Sequence, residues 1–249
     1  DFNSACAFPL ISPAQDTYII FHRYSLVEAL YESPFYWMCA DRSYVNTAMQ
    51  NRGEFAENFS VERLALVFGN DKVFSRVDIF GPNRNKMGEI DTLVLFGNRA
   101  IVVQVKSKRL TIESRKGNDL QIRDDFKKSI QDSYDQAYKC AKLLGDANYS
   151  LKDGRSNEIV APLRLKDIYI MCVVSDHYPA LSFQARQFLK LEVDDAISPP
   201  FILDVFTLDA MTEMLDSPLQ FLSYVDRRSK YHEKLMASHE LTILSYHLK

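Results

Sequence analysis

Cysteine is scarce and scattered. The four residues Cys6, Cys39, Cys140 and Cys172 form neither a C-x-x-C metal knuckle nor a dense disulfide framework, so free thiols, buried in a reducing cytoplasm, are expected. The five histidines include His232 beside Glu233 and His239 beside Glu240, but each pair lacks the second histidine of an H-E-x-x-H helix. A zinc protease is thereby disfavoured. Nowhere does an apolar run reach the roughly 18 residues of a membrane span, and no secretory leader opens the chain. Charge of one sign is also missing: a net charge of −3 exerts no global pull on nucleic acid, so any such binding needs a local basic patch.

What is present is ordinary for a folded protein. The 249 residues are 47% hydrophobic and 25% charged, enough for a sizeable core and against wholesale disorder. The chain starts at Asp1 without methionine and ends within a helical pattern, which reads as a piece of a longer protein. Three parts are expected: an N-terminal extension over 1–45, a core domain over 46–210, and a C-terminal helical segment over 211–249.

Along the chain, residues 1–24 read as extended or irregular. Ser25 and Glu28 have capping-box spacing and open a short helix that should stop before Pro34. A long helical pattern covers about 44–68, with Gly53 inside and Gly69 ending it. Strands are expected at 73–80, 89–96 and 99–107. Asp119 is placed as the cap of a helix over 120–144, whose apolar residues keep helical spacing. A polar, insertion-like stretch (146–160) precedes DIYIMCVV (167–174), apolar on both faces like a buried strand. FILDVF (201–206) is a further strand, Thr207 is placed as the cap of the next helix, and the last thirty or so residues read as helical. The result is a mixed α/β sheet: helix, three antiparallel strands, helix, parallel strand, with flanking helices.

The sharpest signal is EIDTLVLF-GN-RAIVVQVKSK, residues 89–108. Gly97 and Asn98 suit a two-residue hairpin turn. Cross-strand partners then sum to 195, which sets Asp91 opposite Gln104 and Glu89 opposite Lys106. By strict alternation Asp91, Leu93 and Leu95 share a face with Ala100, Val102, Gln104 and Lys106, while Ile90, Thr92 and Val94 take the other. An acid and a lysine beyond an apolar patch are costly to bury alone, and a bound cation would relieve the carboxylate. A partly solvated ion pair on an edge hairpin explains the same spacing.

The run G-E-I-D followed by V-V-Q-V-K-S-K resembles the PD-(D/E)xK nucleases, especially Mrr-type restriction endonucleases and the nuclease-related domains. Asp91 matches the strand aspartate, Gln104 the variable position and Lys106 the lysine; Q-x-K departs from the commoner E-x-K and is similar to the Mrr branch. The resemblance implies a restriction-endonuclease-like fold and a glutamate on the preceding helix. Glu57 shares a face with Val61, Leu64 and Phe68 and should point inward, with Glu54 in reserve. It implies catalysis by Glu57, Asp91, Gln104 and Lys106, and Mg²⁺, replaceable by Mn²⁺, on Asp91, Gln104, the Val105 carbonyl and Glu57. It also sets Gln136, on the next helix, near the site as a nucleic-acid contact.

Lys108, Arg109, Thr111, Arg115 and Lys116, directly after the catalytic strand, form the expected nucleic-acid contact, with Ser114 and Asn118 adding phosphate hydrogen bonds. The substrate class implied is DNA, with RNA also open. By the same analogy the setting is the cytoplasm of a bacterial cell and defence against phage, with a second copy or further domains as partners. A nuclease-like module that binds without cutting, or an interaction scaffold, are the competing readings.

Overall fold

The computed structural model describes residues 9–107, 124, 126–162, 164–175, 189–192, 194–231, 234–235, 237 and 239–249. The chain divides into two compact units, Asp1–Arg52 with Leu110–Arg123 and Gly53–Arg109 with Asp124–Lys249.

In the first unit, β1 (Ile11–Ala14) and β2 (Thr17–Ile19) pair as an antiparallel hairpin. Asp16 takes φ 58° in the turn, a value aspartate tolerates better than most residues. Part of the stretch expected to be extended or irregular is thus an extended hairpin. Helix α1 (Ser25–Ala40) does not stop before Pro34 but contains it. Proline leaves the carbonyl four residues back, that of Leu30, without its N–H; Leu30 is 79% exposed, where water can serve it. Nor is Ser25 the cap: Tyr24 holds that place with helical angles and no side-chain cap bond. Arg52, on the long helix α2 (Val45–Phe68), lays its guanidinium over the rings of Tyr31 at 5.0 Å and Phe35 at 4.5 Å, tying the two helices by cation–π contact.

In the second unit, Gly69 ends α2 at φ 86°, as a glycine after the last turn does. The following elements are β3 (Val73–Phe80), β4 (Lys86–Phe96), β5 (Arg99–Lys106), a π-helical turn (Lys127–Gln131) leading into α3 (Asp132–Leu143), β6 (Ser150–Lys152), β7 (Glu158–Ile159), β8 (Asp167–Val174), β9 (Phe201–Asp204), α4 (Val205–Met214), α5 (Pro218–Lys230) and α6 (Glu240–His247). The sheet order is β7-β6-β3-β4-β5-β8-β9. β3, β4 and β5 run antiparallel, whereas β5, β8 and β9 are parallel, so the expected mixed sheet flanked by helices is the one observed. The insertion-like stretch contributes β6 and β7, which lengthen the sheet beyond β3. Asp204, not Thr207, caps α4, its carboxylate accepting the Thr207 N–H at 2.7 Å. The proposed cap Asp119 lies outside the described residues.

Two apolar layers enclose the sheet. On one side Ala56, Leu64 and Val67 of α2 and residues of α4, α5 and α6 cover Val94, Ile101, Val103, Met171 and Val173. On the other, Tyr134, Ala137 and Ala141 of α3 cover Leu93, Leu95, Ala100, Val102 and Ile170. β8 is buried on both faces, which is why its sequence lacks alternation. Cys140 and Cys172 are buried free thiols and Cys39 is a half-buried one. Among the described residues no helix is long and apolar enough to cross a membrane.

The Gly97 turn takes φ 60°, and the hairpin pairs from Phe96–Arg99 to Thr92–Val103 in the expected register. Strict alternation fails further along. Ile90 lies in the same apolar layer as Leu93, three residues away, and on β3 Val77 and Phe74 likewise share that layer. Arg76, between them, takes φ 50°, left-handed and strained for a side chain of its size. Both strands thus change phase between the Ser75–Thr92 and Val77–Ile90 pairs, beside Asp91.

Helix α3 packs tightly on β4 at Gly88, where a Cβ would sit 2.7 Å from Cys140 Sγ. Replacing Gly88 by alanine should destabilise the fold by about 1–3 kcal/mol through overpacking, and adding Cys140→Ala should recover part of the loss. Urea unfolding of both variants checks this; a neutral Gly88→Ala, or no coupling between the two changes, would contradict it.

Candidate active site

Beyond Thr92–Val103 the ladder gives way to side chains. The next hydrogen-bonded pair in register would be Ile90 with Val105. Instead the Val105 N–H donates to Asp91 Oδ2 at 2.7 Å, so a carboxylate stands where a strand carbonyl belongs. Gln104, fully buried, donates from Nε2 to the Glu89 carbonyl at 2.7 Å. A backbone carbonyl only accepts, so this bond fixes which way the amide lies. Gln104 Oε1 is turned away from Glu89, buried and without a hydrogen-bond partner. Such an atom forgoes the bonds it made in water, a loss of about 1–3 kcal/mol.

Burial pushes the Asp91 carboxyl up to about 6; the Val105 N–H and the Lys106 charge oppose the rise, and Glu57 and Glu89 add to it. Lys106 donates from Nζ to Gln136 Oε1 at 3.2 Å, and Gln136 Nε2 in turn donates to the Glu89 carbonyl at 3.2 Å. Cys140 Sγ, one helical turn after Gln136, reaches the same carbonyl at 3.4 Å. The lysine is therefore steadied from α3. The Glu89 side chain takes Lys86 Nζ at 2.6 Å, and the same amine pairs with Asp78 at 2.7 Å.

The structure brings Asp91, Gln104, Lys106 and Gln136 together around the end of the β4–β5 ladder. Glu57 differs from expectation. It is not an unpartnered inward acid: its side chain is 31% exposed and takes Arg76 Nε at 3.4 Å. The buried line of α2 runs through Ala56, Ser60 and Leu64, so Glu57 falls on its border. Its charge still acts on Asp91, adding to the rise of that carboxyl. Lys108, Arg109, Thr111, Arg115 and Lys116, with Ser114 and Asn118, lie outside the described residues.

Among the described residues, no three or more histidine, cysteine, aspartate or glutamate side chains gather into a metal-binding cluster. At the ladder end Asp91 offers a carboxylate and Gln104 an amide oxygen. Sequence reading missed the Glu89 carbonyl, the Arg76 partner and Cys140. The spacing of Gln136 and Cys140, one turn apart on one face of α3, was the available signal.

Residues 52–173 match the family model described as the nuclease-related domain. This part of the chain is similar to a nuclease-related domain. The matched segment contains Glu57, Asp91, Gln104, Lys106 and Gln136, and the mixed sheet with the helices that carry them is compatible with a restriction-endonuclease-like fold. No curated protein and no solved structure matches the chain significantly.

Asp91 gives this domain a pH signature. Its folded-state pKa of about 6 lies above the ordinary 3.8, so its protonated form favours folding, fully at low pH and less as pH rises through about 6. Ionised Asp91 costs the fold on the order of 3 kcal/mol at pH 7. Relative to Asp91→Asn, the wild type should lose roughly that stability between pH 4 and pH 8 in metal-free urea titrations. A difference that stays flat with pH would contradict the burial argument.

Proposed function

We propose that the domain hydrolyses phosphodiester bonds in DNA, with Mg²⁺ as cofactor and Mn²⁺ as a substitute. The observation that carries this reading is the buried Gln104 Oε1, unpartnered and fixed in direction, at the ladder end where Val105, the next residue, binds the desolvated Asp91. A hard divalent cation satisfies both, since Mg²⁺ takes oxygen ligands. Asp91, Gln104 Oε1 and the Val105 carbonyl would hold it, with Glu57 acting directly or through water. The cation supplies Lewis acidity, which activates water and offsets charge on phosphate oxygens.

The remaining chemistry belongs to the chain. Lys106 has three donors and spends one on Gln136, leaving two for the attacking water and the scissile phosphate. Gln136 acts as a positioning residue for that amine. Asp91, with its raised pKa, releases its proton as the cation arrives, so activity should rise with pH through about 6. The basic residues of 106–116 would carry the DNA backbone, and added salt should weaken them. A cytoplasmic role in cutting foreign DNA, with a second copy cutting the opposite strand, follows from the family by analogy.

The Glu57–Arg76 pair favours a second reading, in which the helix acid is withheld and the domain binds nucleic acid without cutting. Plasmid incubation with Mg²⁺, Mn²⁺ or EDTA separates the two. Nicking should require the divalent ion, fall about 10²-fold or more in Asp91→Ala and Lys106→Ala, and fall about tenfold in Gln136→Ala. Equal nicking by the wild type and both of the first two variants, or none under any condition, would reject the hydrolytic reading.

A further inference from the structure

The arginine that pairs with the helix acid stands on strained backbone, and the strain has a local cause. Arg76 takes φ 50°, a conformation open to glycine and costly for a residue with a side chain. The β6–β7 turn lies directly against it. Gly154 N–H donates to the Ser75 carbonyl at 3.0 Å, and a Cβ on Gly154 would sit 3.2 Å from Arg76 Cβ. Asp153 fixes that turn, its carboxylate accepting the N–H groups of Arg155 at 2.9 Å and Asn157 at 2.8 Å. The insertion-like stretch thus braces Arg76, and strain that surrounding structure maintains points to a use.

Position and bonding indicate the use. The Ser75–Thr92 and Val77–Ile90 pairs enclose Arg76 on β3 and Asp91 on β4, so the two stand at the same step of the sheet. Arg76 meets Glu57 through Nε alone, at 3.4 Å, long for a charged hydrogen bond. Its side chain is 52% exposed, and such a pair is worth little. Nη1 and Nη2 make no hydrogen bond with the described residues, which leaves the guanidinium fork open to a phosphate. Glu57 in turn acts on Asp91, so an anion that draws Arg76 away changes the charge available at the ladder end.

We propose that Arg76 binds a backbone phosphate of DNA and, in doing so, releases Glu57 to the catalytic centre. One anion replaces another on the same guanidinium, and no covalent bond changes. The role given to Glu57 rests on the hydrolytic reading; the phosphate contact does not. Before DNA arrives the helix acid stays neutralised, and substrate binding completes the acid set.

Fluorescence anisotropy with duplex DNA in EDTA, over a range of salt, tests the contact without turnover. Arg76→Gly removes the guanidinium and the strain together, so its melting temperature should not fall. Its DNA affinity should drop about tenfold, and the slope of log K against log salt should become shallower by about 1. Arg76→Gln, which keeps the strain, should show the same two losses. Glu57→Gln frees the arginine and should bind DNA more tightly than the wild type. In Mn²⁺ titrations without DNA, Arg76→Gly should bind the ion about two- to fivefold more tightly than the wild type, the range an exposed ion pair supplies. DNA affinity and salt slope unchanged in both Arg76 variants would overturn the proposal. So would Mn²⁺ affinity unchanged in Arg76→Gly, or weaker DNA binding in Glu57→Gln. Loss of DNA affinity in the Arg76 variants of a chain that nicks with no divalent ion would instead uphold the phosphate contact and reject the hydrolytic reading.

Discussion

One backbone carbonyl organises the site. Glu89 C=O receives Gln104 Nε2 at 2.7 Å, Gln136 Nε2 at 3.2 Å and Cys140 Sγ at 3.4 Å. Two lone pairs suit two amides, with the thiol as a weak third donor. Because the carbonyl can only accept, it sets the polarity of both glutamines: each turns its nitrogen to Glu89 and its oxygen outward. One of those oxygens holds Lys106 and the other is left unpartnered in the interior. Gly88 is the residue before this carbonyl, and its missing side chain is what lets α3 come near enough to share it. The G-E of the motif thus has a packing reason as well as a chemical one.

Much of this was legible from sequence because period and turn chemistry are local. The Gly97-Asn98 turn fixed the register through Thr92–Val103, and the unbroken apolar run of β8 announced a strand buried on both faces. The α2 boundaries followed from Gly69. What escaped reading depended on tertiary circumstances. Alternation could not foresee that β3 and β4 change phase together at Arg76, since no glycine marks the place. Pro34 stays inside α1 because the carbonyl it orphans belongs to an exposed turn. Glu57 was placed on the apolar stripe by helical spacing, but spacing alone cannot supply the arginine from a neighbouring strand that draws it to the border.

The electrostatics describe a centre short of negative charge. Asp91 is half protonated near pH 6, Glu57 is shared with Arg76, and Gln104 contributes an uncharged oxygen. Asp91 would give up its proton to a cation held here, and so few full charges would leave that cation's affinity dependent on phosphate oxygens arriving with it. This coupling suits a chain whose overall charge of −3 does not itself draw in nucleic acid. On the proposed hydrolytic reading, catalytic competence and substrate binding would be linked through one weak metal site.

The most direct measurement is therefore of the ion itself. Mn²⁺ binding, followed by electron paramagnetic resonance in the presence of an oligonucleotide with phosphorothioate linkages, reads the site without requiring turnover. The account requires one bound ion in the wild type, weakened at least tenfold by Gln104→Leu and by Asp91→Asn. Equal Mn²⁺ occupancy in the wild type and in Gln104→Leu would show that the buried amide oxygen does not face a metal, and the central claim would fail.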